Sequence, residues 1–285
     1  MSDEEKNGPE LVSVGDWKPS APSLAARGVK TLQRNQVVTE AGLHPVALAS
    51  GVEVIPVPGG PFIMGSDELI KHLDEELRND VCPMRIVTLS SYSLSKTPIS
   101  VGQFRAYVQA RNVKFDWEAR KPGWGWLDEH PMVQVSWDEA RAYCKWAGGD
   151  LPTEAQWERA ARGIDGRKYP WGNEWDGNLC VHSITEFGDR SNTAGVNRRD
   201  QTYATALGHT DMAGNVWQWC LDWYSSDGYQ HLPDQDPKGV PHGNKRVLRG
   251  GCWFFNDPIF FRCASRAASD PSSRDAWYGF RLAGL

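Results

Sequence analysis

From residue 164 to the C-terminus the sequence shows no long amphipathic helical pattern, only Gly, Pro, Asn, Asp and Trp interrupted by short β-prone runs at 216–219, 246–248 and 279–282. That tail constrains the fold more than any other feature. Buried backbone N–H and C=O groups need partners, so a chain with this much irregular structure must be pinned by side chains. The 14 Trp supply the pins, because each brings a large apolar ring and one N–H that needs an acceptor. Long structured loops of this kind are uncommon and tend to carry function.

Ahead of the tail the regular elements are plain. A β-prone run, Val52-Glu53-Val54-Ile55-Pro56-Val57, ends in Pro58-Gly59-Gly60. Phe62-Ile63-Met64-Gly65 leaves that turn as a second strand, and residues 85–89 read as a third. Three helix starts carry the capping-box pattern of a hydroxyl answered one turn later by Glu or Gln: Ser100 with Gln103, Ser136 with Glu139, Thr153 with Gln156. Stripes at helical spacing follow each of them (Phe104, Tyr107, Val108; Ala140, Tyr143, Cys144; Trp157, Ala160, Ala161). Gly148-Gly149 and Gly163 are placed to end the second and third helices. Residues 1–50 lack sustained periodicity and read as a flexible or loosely docked extension, leaving 51–285 as the folded domain.

Charge and cysteine usage narrow the function. A net charge of −5 gives no general attraction to phosphate backbones, so nucleic acid is not expected as a partner. No apolar run is long enough to span a bilayer, and the acidic start MSDEEKNGPE lacks the basic and apolar regions of a signal peptide. The expectation is a cytoplasmic monomer with reduced thiols. Cys82, Cys144, Cys180, Cys220, Cys252 and Cys263 show no C-x-x-C spacing, and no two histidines stand one helical turn apart. The sequence also holds no G-x-S-x-G elbow, P-loop or dinucleotide fingerprint. No cofactor, no metal and no catalytic residue are expected.

Seven phrases, in order, resemble the formylglycine-generating, sulfatase-modifying superfamily. They are Ile55-Pro56-Val57-Pro58-Gly59-Gly60-Pro61-Phe62-Ile63-Met64-Gly65, His130-Pro131-Met132-Val133-Gln134-Val135-Ser136-Trp137, Leu151-Pro152-Thr153-Glu154-Ala155-Gln156-Trp157-Glu158 and Tyr169-Pro170-Trp171-Gly172, then Ala213-Gly214-Asn215-Val216-Trp217-Gln218-Trp219, Arg249-Gly250-Gly251 and Gly279-Phe280-Arg281. The resemblance implies an α+β, elaborated C-type lectin fold, loop-rich, with short strands and two to three helices. Most of the quoted residues read as scaffold, with Arg249 and Arg281 suited to pinning loop carbonyls.

The resemblance also implies chemistry that can be checked position by position. Oxidising members hold copper and substrate thiol with two cysteines just after the Gly-Gly; here those places fall at Phe255 and Phe260, and phenylalanine is neither ligand nor nucleophile. The nearest thiols, Cys252 and Cys263, have the wrong spacing and read as small core residues. Members often hold calcium with an Asn and the Glu of a G-N-x-W-E-W phrase. Here Gln218 follows Asn215 in that phrase, and the amide removes the formal charge of such a site.

The segment 252–278 also resembles the variable region of retroelement-diversified proteins, in which adenines of a C-terminal lectin segment are randomised. Asparagine codons ending in C then never yield Lys, Glu, Gln, Met or Trp, and Lys, Glu, Gln and Met are all absent between Cys252 and Tyr278. A frame that includes Trp253, Pro258, Arg262, Arg266, Pro271 and Arg274 alternates with clusters of unrelated residues. The candidate ligand-binding residues are Phe254, Phe255, Asn256, Asp257, Ile259, Phe260, Phe261, Ala268, Ser269, Asp270, Ser272, Ser273, Asp275, Trp277 and Tyr278. The leading expectation is a non-catalytic protein that shows this hypervariable face to a macromolecular ligand, a protein. The alternatives are a catalytic superfamily member with an atypical thiol or metal site, and a domain that senses a small ligand.

Overall fold

The computed structural model describes residues 46–48, 50–68, 80–183, 192–196 and 204–284. The extension expected over residues 1–50 lies outside the described residues apart from its end, where Val46–Ala47 form a short strand, β1.

All three capping boxes form. Ser100, Ser136 and Thr153 accept from the backbone N–H of Gln103, Glu139 and Gln156 at 3.2, 3.3 and 3.2 Å, and each of those side chains returns a bond to its cap. They start helices α1 (Val101–Arg111), α2 (Trp137–Trp146) and α3 (Glu154–Arg162). α3 ends where expected, at Gly163 with φ 70°. Gly149, after α2, serves a close approach: a Cβ there would stand 2.1 Å from the Ala283 carbonyl oxygen.

Three small sheets surround these helices. In the first, β2 (Glu53–Val57) pairs with β1 and with β5 (Tyr92–Ser95), and β10 (Ala283–Gly284) adds to the far side of β5. The end of the domain is therefore stitched beside its beginning. β3 (Gly60–Met64) and β4 (Arg85–Leu89) form an antiparallel pair. The third sheet runs β8 (Arg266–Ser269), β7 (Arg246–Arg249), β6 (Trp217–Trp223), β9 (Tyr278–Phe280), antiparallel except where β9 lies parallel to β6. Its core face packs Trp219, Leu248 and Phe280 against Phe104 and Tyr143 of α1 and α2. A second cluster closes around Trp157 of α3, with Phe62, Leu94 and Tyr229. The α+β, loop-rich lectin-type architecture expected from the sequence is the one present.

Helix α3 is buried along its charged residues as well as its apolar ones: Glu154, Glu158, Arg159 and Arg162 are all at most 3% exposed. Charges in that setting persist only when paired and hydrogen-bonded. Glu158 accepts from Arg249, from Arg162 at 2.6 Å and from the Gly65 backbone at 2.8 Å. Arg249 also donates to the carbonyls of Cys263, Ala264 and Ser265, each at 2.7 Å. Arg266 forks onto Glu154 at 2.6 and 3.0 Å. Arg281 donates to the carbonyls of Ser95 and Lys96, both at 2.9 Å, and to that of Thr210. Both arginines pin loop carbonyls, as their sequence context implies.

Trp157→Ala empties the centre of the second cluster and should cost about 3–5 kcal/mol in urea melts. Thr153→Ala removes only a cap and should cost about 1 kcal/mol. Asp222 adds a pH dependence. Its burial, reinforced by the neighbouring Glu154, raises its carboxyl from 3.8 to about 7. A folded-state value above the unfolded one means stability that is full below about pH 4 and lost as the pH rises through 7. Asp222→Asn should therefore flatten the fall of the thermal midpoint between about pH 4 and 7.

Candidate ligand-binding face

The face is built by the turn that follows β7. Gly250 and Gly251 take φ of 103° and 74°, and a Cβ on them would stand 3.0 Å from the Trp157 ring and 2.8 Å from Phe261 respectively. Glycine alone suits both the backbone and the space. Trp253 then anchors the chain: its backbone N–H donates to the Asn215 carbonyl at 3.1 Å and its indole to the Ala276 carbonyl at 3.2 Å, tying both ends of the segment together. Asp257 caps a one-turn helix, Pro258–Phe261, by accepting from the Ile259 backbone at 3.0 Å.

An array of aromatic rings results. Phe254, 56% exposed, stacks on Trp277 with centroids 5.6 Å apart and planes at 25°, and meets the rings of Trp253 and Phe255 edge-on at 5.7 and 5.8 Å. Phe255 and Phe260, both half-buried, lie 4.4 Å apart, and Tyr278 packs its edge against Trp219 at 5.2 Å. Asn256 and Asp257 are exposed beside them. Asp275 is half-buried, and its burial raises its carboxyl above the usual range.

Not every expected residue joins this array. Ile259 and Phe261 are corrected to core residues, 8% and 0% exposed, because the one-turn helix aims them inward. Asp270, Ser272 and Ser273 form a separate turn, in which Asp270 accepts from the backbone and hydroxyl of Ser272 at 2.8 and 2.6 Å. That turn is clamped to α2, since the Trp137 backbone donates to the Pro271 carbonyl at 3.0 Å and Arg274 forks onto Glu139 at 3.0 and 3.1 Å. Ala268 and Ser269 are half-buried in β8, in register with Val247 and Arg246. Trp124 was missed: it meets Trp253 edge-on at 5.5 Å and extends the array. Its one sequence signal is a tryptophan set between two glycines in Gly123-Trp124-Gly125.

The face offers no metal donors in the family's copper positions. Phe255 and Phe260 carry none, and burial pushes the thiols of Cys252 and Cys263 up to about 12, far from the thiolate form. Among the described residues no three His, Cys, Asp or Glu side chains are grouped as metal ligands. The calcium phrase does not fit a cation either. Gln218 is fully buried, and its amide nitrogen donates to the Asp211 carbonyl at 2.7 Å.

Comparison with known proteins agrees with this geometry in fold. Residues 40–284 match the model of the sulfatase-modifying factor enzyme 1-like domain. A formylglycine-generating enzyme of Thermomonospora curvata is 33% identical over 298 aligned residues, which cover 84% of this chain and 95% of that protein. PvdO from Pseudomonas aeruginosa superposes with a TM-score of 0.72 at 25% identity, covering 85% of this chain and 98% of its own. Variable protein 1 of Treponema denticola shares the fold with a TM-score of 0.65 at 22% identity and the same two coverages. The expectation that the chain is not an enzyme is corrected by these matches, because relatives aligned along most of its length are named as enzymes.

The geometry separates face from core within a few residues. Phe254→Ser and Asn256→Ala should shift stability by less than about 0.5 kcal/mol, whereas Phe261→Ala should cost about 3–5 kcal/mol, both read from urea melts. Cys144, Cys180, Cys220, Cys252 and Cys263 are buried and Cys82 is half-buried. A thiol reagent should thus label Cys82 on the native protein and the other five only on unfolding.

Proposed function

The chain belongs to the sulfatase-modifying factor enzyme 1-like family, and on that footing we propose that it binds a polypeptide against the aromatic face around Phe254. The observation that carries this reading is the exposure of Phe254, 56%, in a stack with Trp277. Aromatic rings grouped at a surface mark a candidate interaction site. Rigid aromatic rings give much contact area at small entropic cost, and the neighbouring Asn256 and Asp257 give adaptable hydrogen bonds.

The face is proposed as the substrate-binding surface of a family member whose chemistry does not draw on a thiolate pair, since phenylalanines fill those places. The domain is taken to begin near residue 51, with 252–278 as its variable segment, displayed at residues 254–257 and 277 and anchored elsewhere. The cavity bordered by Trp171, Leu179, Ala194 and Met212 is about 10 Å³, room for one water and not for a small-molecule ligand.

A phage-displayed library of random peptides, panned on the immobilised protein, tests the reading. Enriched peptides should carry an apolar or aromatic residue, and Phe254→Ser should weaken them at least about tenfold, the effect of a central contact residue. Enrichment no better than on an unrelated protein, or affinity indifferent to Phe254→Ser, would count against it. A mass change in the bound peptide would mark the face as the place of reaction.

A further inference from the structure

Gln218 sits within β6, paired with Arg249 on one side and Gly279 on the other, and is fully buried. The orientation of its amide is set by chemistry. The Trp157 indole and the Arg281 guanidinium reach the same side-chain oxygen, at 2.8 and 2.7 Å. Both groups only donate, so the atom that faces them must be the acceptor, and the amide nitrogen is turned the other way. There it meets two backbone carbonyl oxygens, Asp211 at 2.7 Å and Val216 at 3.4 Å.

Two carbonyls that converge on one buried point need a positive partner between them. The amide hydrogens of Gln218 supply it here. The loop they hold is a demanding one, because Asp211 and Asn215 both take positive φ, 53° and 65°, without being glycine. Asn215 is itself spent on the loop, accepting from the Ala194 backbone at 3.0 Å and donating to the Ala194 carbonyl at 3.0 Å. A glutamate at 218 could keep one oxygen on Trp157 and Arg281, but its second oxygen would face the two carbonyls. An oxygen cluster of that kind is stable when a hard cation fills it.

We infer that the Gln218 carboxamide stands in for a divalent cation, so that the loop over residues 211–216 is held without metal, and that Gln218→Glu opens a calcium site lined by the new carboxylate and the carbonyls of Asp211 and Val216. The wild-type chain is indifferent to chelators at this loop. The Arg281 guanidinium fits the same picture: its hydrogen bonds go to Gln218 and to carbonyls, and burial pushes it down to about 9. A carboxylate at 218 would add a second counter-charge to that of Asp211.

Thermal melts and calorimetric titration of the full chain with calcium alone test this. The wild type should melt at the same temperature in chelator and in millimolar calcium and take up no heat-releasing ion. Gln218→Glu should melt several degrees higher in calcium than in chelator and bind one calcium with a dissociation constant in the roughly micromolar to millimolar range. Three results would overturn the inference: a wild-type midpoint that falls in chelator, a folded Gln218→Glu protein with no calcium response, or a Gln218→Glu protein that stays unfolded even when refolded in calcium.

Discussion

The ion pair between Glu158 and Arg249 is the contact on which the rest of the structure depends. It joins the middle of α3 to the end of β7, and neither side chain touches water. From Glu158 the network reaches the strand end at Gly65 and the last turn of α3 at Arg162. From Arg249 it reaches three successive carbonyls at 263–265, the return path of the C-terminal segment. A loop-rich domain has few ladder bonds to hold it, and a guanidinium that joins one carboxylate to three carbonyls replaces several of them at once. The arrangement is costly to break because either partner left alone would be a buried, unpaired charge.

The frame explains how exposed and buried aromatics can alternate so closely. Arg249 fixes where β7 ends, Gly250 and Gly251 turn the chain over Trp157, and Trp253 binds that turn to the Asn215 loop. Beyond this anchor the Phe255 carbonyl accepts from the Ser183 backbone at 3.0 Å before the one-turn helix begins. Scaffold and display are thus separated by two glycines and one tryptophan. The Asn215 loop that receives Trp253 is the same loop that Gln218 holds from within, so the support of the face and the internal amide are one construction.

Membership in an enzyme family and phenylalanines at 255 and 260, where the resemblance implies a thiol pair, are both properties of this chain, and they act at different levels. The phrases that carry the resemblance lie in the frame, with its capping boxes, buried arginines and anchoring tryptophans. The places that the resemblance assigns to the thiols lie on the displayed side of the turn, where the rings of Phe255 and Phe260 meet tilted at 4.4 Å. Substitution there can change chemistry while the fold persists.

The sequence by itself determined the three helix starts, because a capping box is a bond between residues one turn apart and needs no distant partner. It also determined the fold family and the pinning roles of Arg249 and Arg281, through phrases whose residues suit one architecture. Strands β5 and β8 were not legible: Tyr-Ser-Leu-Ser and Arg-Ala-Ala-Ser carry little β-propensity and become strands through the neighbours that pair with them. Only the tertiary structure decided which rings of the C-terminal segment meet water. Phe254, Phe255, Phe260 and Phe261 are the same residue four times with no period to sort them, yet they range from 56% exposed to fully buried. Their fates follow from the Gly250-Gly251 turn and the aim of one short helix. Both are set by what Trp157 and Arg249 allow from across the core.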